Sequence, residues 1–214
     1  MHYMTDHSSS CTVKDATVFV IDDDEGMRDG IKFLLGTAGL TATTFASGKE
    51  FLASYNPRMH GCILLDIRMP DISGLDFQEE LRRREIRLPV ILISAYGTIP
   101  LAVRAIRDGA FDFIEKPFDD EALLKRIREA ITFNIDQRID DQKVGQARAQ
   151  LGSLTGREKE VMGLVVGGML NKQIAAELGI SAKTVENHRS RVMDKMGVKG
   201  LAELVHLNSL LQKV

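Results

Sequence analysis

Four acids in a row, Asp22, Asp23, Asp24 and Glu25, end the apolar run VFVI. A fifth carboxylate, Asp66, closes CILLD, while LIS ends at Ser94 and FIEKP carries Lys116. Each follows a short apolar run of the kind that forms a buried parallel strand, and loops leaving the carboxyl ends of such strands gather at one rim of the sheet. Asp22, Asp23, Asp66, Ser94 and Lys116 are therefore expected to converge. Two carboxylates about 4 Å apart repel by roughly 1 to 4 kcal/mol, depending on the local dielectric. Bringing three together requires a cation or raised pKa values. A magnesium ion suits the site, since it takes one or two carboxylates plus waters and leaves room for a phosphoryl group. In that chemistry Asp66, alone at the end of a central strand, is a carboxylate nucleophile able to form an acyl phosphate. Asp23 ligates the metal and Asp22 holds it through water. Lys116 turns a positive charge toward the phosphoryl oxygens, and the Ser94 hydroxyl donates a hydrogen bond to one of them. Pro117 tightens the loop after Lys116, at a bond that can adopt the cis form. Asp24 and Glu25 are read differently, as a cap and a favourable charge at the start of the next helix.

The elements that must position these groups are legible from periodicity. Up to Phe118, five apolar runs (ATVFVI, TATTFA, CILLD, PVILISA and FDFIEK) alternate with five segments of helical period. That order predicts an α/β fold, a doubly wound five-stranded parallel sheet covered by helices on both faces. All five prolines lie in this part, so the remainder is free to be almost wholly helical. From Asp119 to about Gln150 an apolar stripe at Leu124, Ile127, Ile131, Ile135 and Ile139 keeps four-residue spacing, predicting a linker helix of about 48 Å at 1.5 Å per residue. Two readings of that helix stay open, a solvated spacer or a stripe packing on a second subunit. Gly145 and Gly152 are expected to fray it.

Beyond the linker, short amphipathic segments are punctuated by glycine. Thr155 precedes Glu158 at capping-box spacing. A helix from Lys172 to Leu178, the pair Gly179-Ile180, and a second helix capped at Ser181 predict a helix-turn-helix, whose second helix enters the major groove of DNA. On that helix Val185, Val192 and Met196 share a core-facing side. The outer side carries Lys183, Thr184, Glu186, Asn187, Ser190 and Arg191, with donors suited to phosphates and base edges. His188 leans toward the core and is read as a packed, hydrogen-bonded residue.

Composition sets the outer bounds. The chain has 214 residues, enough for two small domains, and a net charge of -2 that hides an asymmetry. Through residue 118 there are 13 Lys and Arg against 17 Asp and Glu; from residue 154 on there are 9 against 6. An acidic front and a basic back imply separate tasks. No apolar run approaches the roughly 20 residues that span a bilayer, and the polar opening has no secretory pattern, so a cytoplasmic protein without membrane contact is expected. Cys11 and Cys62 have no metal-ligand spacing and are expected to be free thiols.

Residues 16 to about 130 resemble the receiver domain of bacterial two-component response regulators, through IDDDEGMR, LLDIRMPDISGLD, LISAYG and GAFDFIEKPF. The tail resembles the LuxR-type helix-turn-helix of the NarL/FixJ family, through LTGREKEV, NKQIAAELGIS and KTVENHRSRVMDKMGV. The resemblance implies a flavodoxin-like strand order, phosphorylation of Asp66 by a histidine kinase, and Mg²⁺ held by Asp22, Asp23, Asp66 and the backbone carbonyl of Arg68. It implies that Ser94 and Phe113 are the hydroxyl and aromatic that reorient; Phe113 stands where some members have tyrosine. It also implies a homodimer on phosphorylation, a dimer contact near Leu201 to Leu211, a pseudo-palindromic promoter site, a contact with RNA polymerase, and a lean toward activation. The corresponding divisions are a leader at 1–15, a receiver core at 16–118, the extended last receiver helix at 119–152, and the DNA-binding domain at 153–214. Two other readings remain: a phosphohydrolase of the haloacid-dehalogenase kind with Asp22 as nucleophile, and a DNA-binding protein indifferent to phosphate.

Overall fold

The computed structural model describes residue 13 and residues 15–212; Cys11 and almost all of the expected leader lie outside them. The elements are β1 (Thr17–Ile21), α1 (Glu25–Thr37), β2 (Thr41–Phe45), α2 (Gly48–Ser54), β3 (Gly61–Asp66), α3 (Gly74–Arg83), β4 (Val90–Ser94), α4 (Ile99–Arg107), β5 (Asp112–Glu115), α5 (Asp120–Ser153), α6 (Gly156–Val166), α7 (Asn171–Leu178), α8 (Ala182–Met196) and α9 (Leu201–Gln212). Two compact units divide the chain between Arg138 and Ile139, inside α5.

In the first unit every strand pairing is parallel, in the order β2-β1-β3-β4-β5. Side chains alternate across a strand, so β1 sends Phe19 and Ile21 into one core and Val18 and Val20 into the other. The first core collects Phe51 of α2, Phe77 and Leu81 of α3 and Ala105 of α4. Its centre is Phe51, whose ring meets Phe19, Phe45 and Phe77 edge to face. The second core collects Ile31 and Leu35 of α1 with Leu123, Ile127, Ala130 and Ile131 of α5. Strands β3 and β4 are buried along their whole lengths, whereas β2 alternates between exposed and covered positions, as an edge strand should.

The apolar stripe of α5 corrects an expectation. Ile127 and Ile131 are fully buried, and Leu124 and Ile135 pack against the same core. They are neither a spacer's solvated face nor a surface awaiting another subunit, because α5 is the cover of one sheet face and needs that stripe for it. Only Ile139 remains exposed. Two polar residues fix the helix along the sheet: the buried Asn134 accepts from the Gly61 amide at 3.0 Å, and Arg138 donates to the Met59 carbonyl at 3.1 Å. Nor does the helix fray at Gly145 or Gly152, since it is continuous to Ser153. Each glycine costs roughly 1 kcal/mol relative to alanine, but burying one leucine returns about 1.5 to 3 kcal/mol. Ala147 is buried, while Leu151 and Leu154 join the core of the second unit.

That core is formed by Val161, Met162 and Val165 of α6, Ile174 of α7, Val185, Val192 and Met196 of α8 and Leu204 of α9. The capping box at α6 forms in both directions, Thr155 with Glu158. Glu158 is buried and also accepts from Lys195 at 2.7 Å. The hydrogen bond from Lys195, then that from the Thr155 amide, hold its carboxyl down at about 2.

The start of α7 lacks a side-chain cap. Leu170 occupies the cap position of α7 with the extended backbone a cap requires (φ -76, ψ 155), and it is 70% exposed. Its amide is satisfied by Gln173, at 2.8 Å. Replacing Leu170 with serine supplies the missing acceptor and gives up little burial. The variant Leu170→Ser is expected to raise stability in urea titration by about 0.5 to 1 kcal/mol.

Candidate functional site

Asp22 follows β1 and is almost wholly buried; Asp66 ends β3 and is 7% exposed. Between them lies the ammonium of Lys116, delivered by the loop after β5, 3.0 Å from Asp22 Oδ2 and 2.7 Å from Asp66 Oδ1. The remaining oxygens take backbone donors. The Asp24 amide donates to Asp22 Oδ1 at 2.9 Å, and the Arg68 amide to Asp66 Oδ2 at 2.6 Å. Burial pushes the Asp22 carboxyl above its ordinary value, against the opposing effects of the Asp24 amide and Lys116. Burial alone would lower Lys116, but hydrogen bonds from its ammonium to Asp66 and Asp22 outweigh that and leave it above its ordinary value.

Local structure explains how the loops hold this geometry. Asp24 caps α1 through the Met27 amide at 2.9 Å, as its position implies, and Arg28 of the same helix donates to the Asp22 carbonyl at 2.8 Å. Beneath Asp66 the chain passes so close that a Cβ on Gly74 would stand 2.6 Å from the Asp66 carbonyl oxygen, so only glycine fits there. The Lys116-Pro117 peptide bond is cis. Ser94 ends β4, is buried, and accepts from the Tyr96 amide at 3.2 Å. Phe113 of β5 is half-buried against the first core.

The expected gathering of three acids is only partly met. Asp22 and Asp66 share Lys116, but Asp23 is exposed, and among the described residues no group of three carboxylate, histidine or cysteine side chains stands ready to hold a metal. The charge problem posed by the sequence is answered here by Lys116. The donor set nevertheless suits magnesium in kind, because Asp22, Asp23, Asp66 and the Arg68 carbonyl offer only hard oxygens from two neighbouring loops.

Three contributors escape a reading of the sequence. Arg28 is an ordinary exposed-helix residue by pattern. The family resemblance marks Arg68 only for its carbonyl, yet its guanidinium carbon lies 3.4 Å from the centroid of the Tyr96 ring. The Glu158–Lys195 pair spans 37 positions, and no local spacing marks it.

In the second unit, α7 is closed by Gly179 in the left-handed region (φ 64), a conformation glycine adopts without strain, and α8 starts two residues after Ile180, with Ser181 between them as its cap. Arg157 donates to the Leu178 carbonyl at 2.5 Å and Arg189 to Asn171 at 2.7 Å, bracing α7 from both sides. On α8, Lys183, Glu186, Asn187, Ser190 and Arg191 carry the outer face; Thr184 is half-covered and engaged with Ser181 at 2.8 Å. Lys183 and Glu186 pair with each other at 2.9 Å. His188 is half-buried, in keeping with its lean toward the core, but its Nδ1 is buried with no hydrogen-bond partner among the described residues. Its apolar neighbours Val185 and Val192 pack on the core side and supply no acceptor.

A doubly wound sheet with acids and a lysine at its carboxyl rim, joined to a helix-turn-helix, defines a phosphorylatable receiver coupled to a DNA-binding module. Comparison with known proteins agrees. Residues 18–128 match the response regulator receiver domain and residues 152–208 the bacterial regulatory proteins of the luxR family. The chain is 40% identical to the transcriptional regulatory protein TdiR of Thauera aromatica, over 89% of this chain and 84% of that protein. It is 41% identical to the transcriptional regulatory protein FixJ of Azorhizobium caulinodans, over 89% of this chain and 90% of that one. The solved structure of the response regulator StyR superposes with a TM-score of 0.82 at 43% identity, covering 91% of this chain and 98% of that chain. The chain belongs to the NarL/FixJ family of two-component response regulators, and is a phosphorylation-dependent DNA-binding regulator of transcription. It belongs to a family of DNA-binding transcriptional regulators and is not an enzyme, which removes the phosphohydrolase reading. No helix among the described residues is long and apolar enough to cross a membrane.

Proposed function

We propose that Asp66 accepts a phosphoryl group from a histidine kinase in the cytoplasm, and that the phosphorylated chain dimerises and binds promoter DNA at paired half-sites. The observation that carries this reading is the Lys116 ammonium held at 3.0 and 2.7 Å from Asp22 and Asp66. An Asp66 oxygen forms the new P–O bond as the P–N bond of a phosphohistidine breaks, and the departing imidazole keeps the electron pair and takes up a proton. Lys116 lies where negative charge develops on the phosphoryl oxygens. Magnesium, held by Asp23, Asp66 and the Arg68 carbonyl with Asp22 through water, supplies further neutralisation when bound. Ser94 and Phe113 shift once the phosphoryl group is in place.

A groove lined by Asp24, Met27, Phe33, Leu34, Lys116 and Phe118 leads from the pocket along α1, and Phe33 is 75% exposed there, apolar surface for a docked kinase. On α4, Ile99, Val103 and Ile106 are exposed in a row, the surface we assign to the receiver dimer. Leu201 and Val205 on α9 are exposed likewise and suit a contact between DNA-binding modules. Lys183, Thr184, Glu186, Asn187, Ser190 and Arg191 face the groove of DNA. Activation, through a contact with RNA polymerase, is the outcome we favour.

Pairing two tethered modules gains affinity through effective concentration, by about 10² or more. Acetyl phosphate with Mg²⁺ is therefore expected to convert monomer to dimer in sedimentation and to tighten binding to a two-half-site promoter fragment by at least about tenfold. Unchanged sedimentation and affinity would favour the phosphate-indifferent reading.

A further inference from the structure

We propose that Arg68 and Tyr96 form a latch across the rim of the phosphoacceptor pocket, in which Arg68 senses a phosphoryl group on Asp66 and Tyr96 is what it lets go. This rests on the assignment of Asp66 as phosphoacceptor. The Arg68 guanidinium carbon stands 3.4 Å over the centre of the Tyr96 ring. Each partner lies two residues beyond a pocket residue and bonds it through its own amide: Arg68 to Asp66 at 2.6 Å, Tyr96 to Ser94 at 3.2 Å. The stack thus ties the loop after β3 to the loop after β4. Tyr96 is 65% exposed, so burial does little to fix its ring. Helix α4 comes next in the chain: a Cβ on Gly97 would stand 3.0 Å from the Glu115 carboxyl carbon, and Thr98 caps the helix through the Leu101 amide at 3.4 Å. Motion of Tyr96 passes into the start of the helix whose exposed apolar row is assigned to the dimer.

The competition between ring and phosphoryl has a clear direction. Without a phosphoryl group the Asp66 charge is met by Lys116 and by the Arg68 amide. A phosphoryl group adds charge and three acceptor oxygens to that position, and a planar guanidinium binds such oxygens in pairs. Charge-assisted hydrogen bonds of that kind exceed an exposed cation–π contact. Arg68 is drawn off the ring, and Tyr96 is freed with its loop. By linkage the intact stack favours the unphosphorylated form.

The two halves of the latch therefore act with opposite sign, which a merely structural contact would not do. Beryllofluoride, a non-covalent mimic of the phosphoryl group, is titrated by calorimetry with Mg²⁺ into the full chain and its variants. Tyr96→Ala is expected to tighten binding about two- to fivefold, the equivalent of one exposed cation–π contact. Tyr96→Phe, which keeps the ring, should match the wild type. Arg68→Ala is expected to weaken binding about fivefold or more, losing a charge-assisted contact, and Arg68→Lys should recover only part of it. Equal signs for Tyr96→Ala and Arg68→Ala, or Tyr96→Phe behaving like Tyr96→Ala, would overturn the latch while leaving Asp66 as phosphoacceptor. A wild-type chain that neither binds beryllofluoride nor takes label from acetyl phosphate would overturn the Asp66 reading, and the latch with it.

Discussion

Asp66→Asn is expected to take no label from acetyl phosphate, a loss of at least about a hundredfold, because a carboxamide has no anionic oxygen with which to attack phosphorus. The substitution is nearly isosteric, and its position is well suited to it. The Arg68 amide keeps an acceptor in the amide oxygen, and Lys116 keeps Asp22 at 3.0 Å. Lys116 loses its 2.7 Å acceptor on Asp66, but the repulsion between Asp66 and Asp22 goes with it, so the change in stability should stay within about 1 kcal/mol. Failure to label therefore reports chemistry and not unfolding, which circular dichroism on the same sample verifies. Weak DNA binding should survive, since α8 is untouched. If the variant were labelled as fully as the wild type, another side chain would be the acceptor, and Asp23 would be the first to examine.

How much of the molecule is legible in its sequence depends on the range of each signal. The strand ends at Asp22, Asp66, Ser94 and Lys116 are visible because apolar runs stop abruptly there, and a parallel sheet brings such ends together whatever the intervening sequence. The capping box at Thr155 and the glycine turn at Gly179 are visible because their signals lie within a few residues. The stripe on α5 is plain in the sequence but its role is not: periodicity tells that a face is apolar, not what covers it. The stacking of Arg68 on Tyr96, the Asn134 bond to Gly61 and the Glu158–Lys195 pair are invisible because each joins residues distant in sequence by side chains with no periodic mark. Asp22 and Asp66 share Lys116 while Asp23, the next residue after the buried Asp22, is exposed, a difference that nothing in the run of four acids marks.

Lys116→Met should produce the largest loss of stability among the pocket substitutions. Methionine keeps most of the length and removes the charge, leaving Asp22 and Asp66 to face each other. Their repulsion amounts to roughly 1 to 4 kcal/mol, and taking one partner from a buried ion pair costs about 3 to 5 kcal/mol. The Lys116 side chain is 14% exposed, so some water relieves the pair. A deficit of about 2 to 4 kcal/mol is expected, a fall in Tm of roughly 10 °C. The pH dependence identifies the cause. Burial raises the Asp22 carboxyl above its ordinary 3.8, so as pH falls through that raised value Asp22 takes a proton and the repulsion disappears. Lys116 itself is raised above 10.5 by its carboxylate partners, so in the wild type its contribution is complete below 10.5 and is lost as pH rises through the folded value. The gap between variant and wild type should thus be widest near neutrality and close toward both extremes. Magnesium gives an independent check: by neutralising the same carboxylates it should raise the Tm of Lys116→Met more than that of the wild type. A deficit indifferent to both pH and magnesium would mean that Lys116 contributes its methylene packing and not its charge.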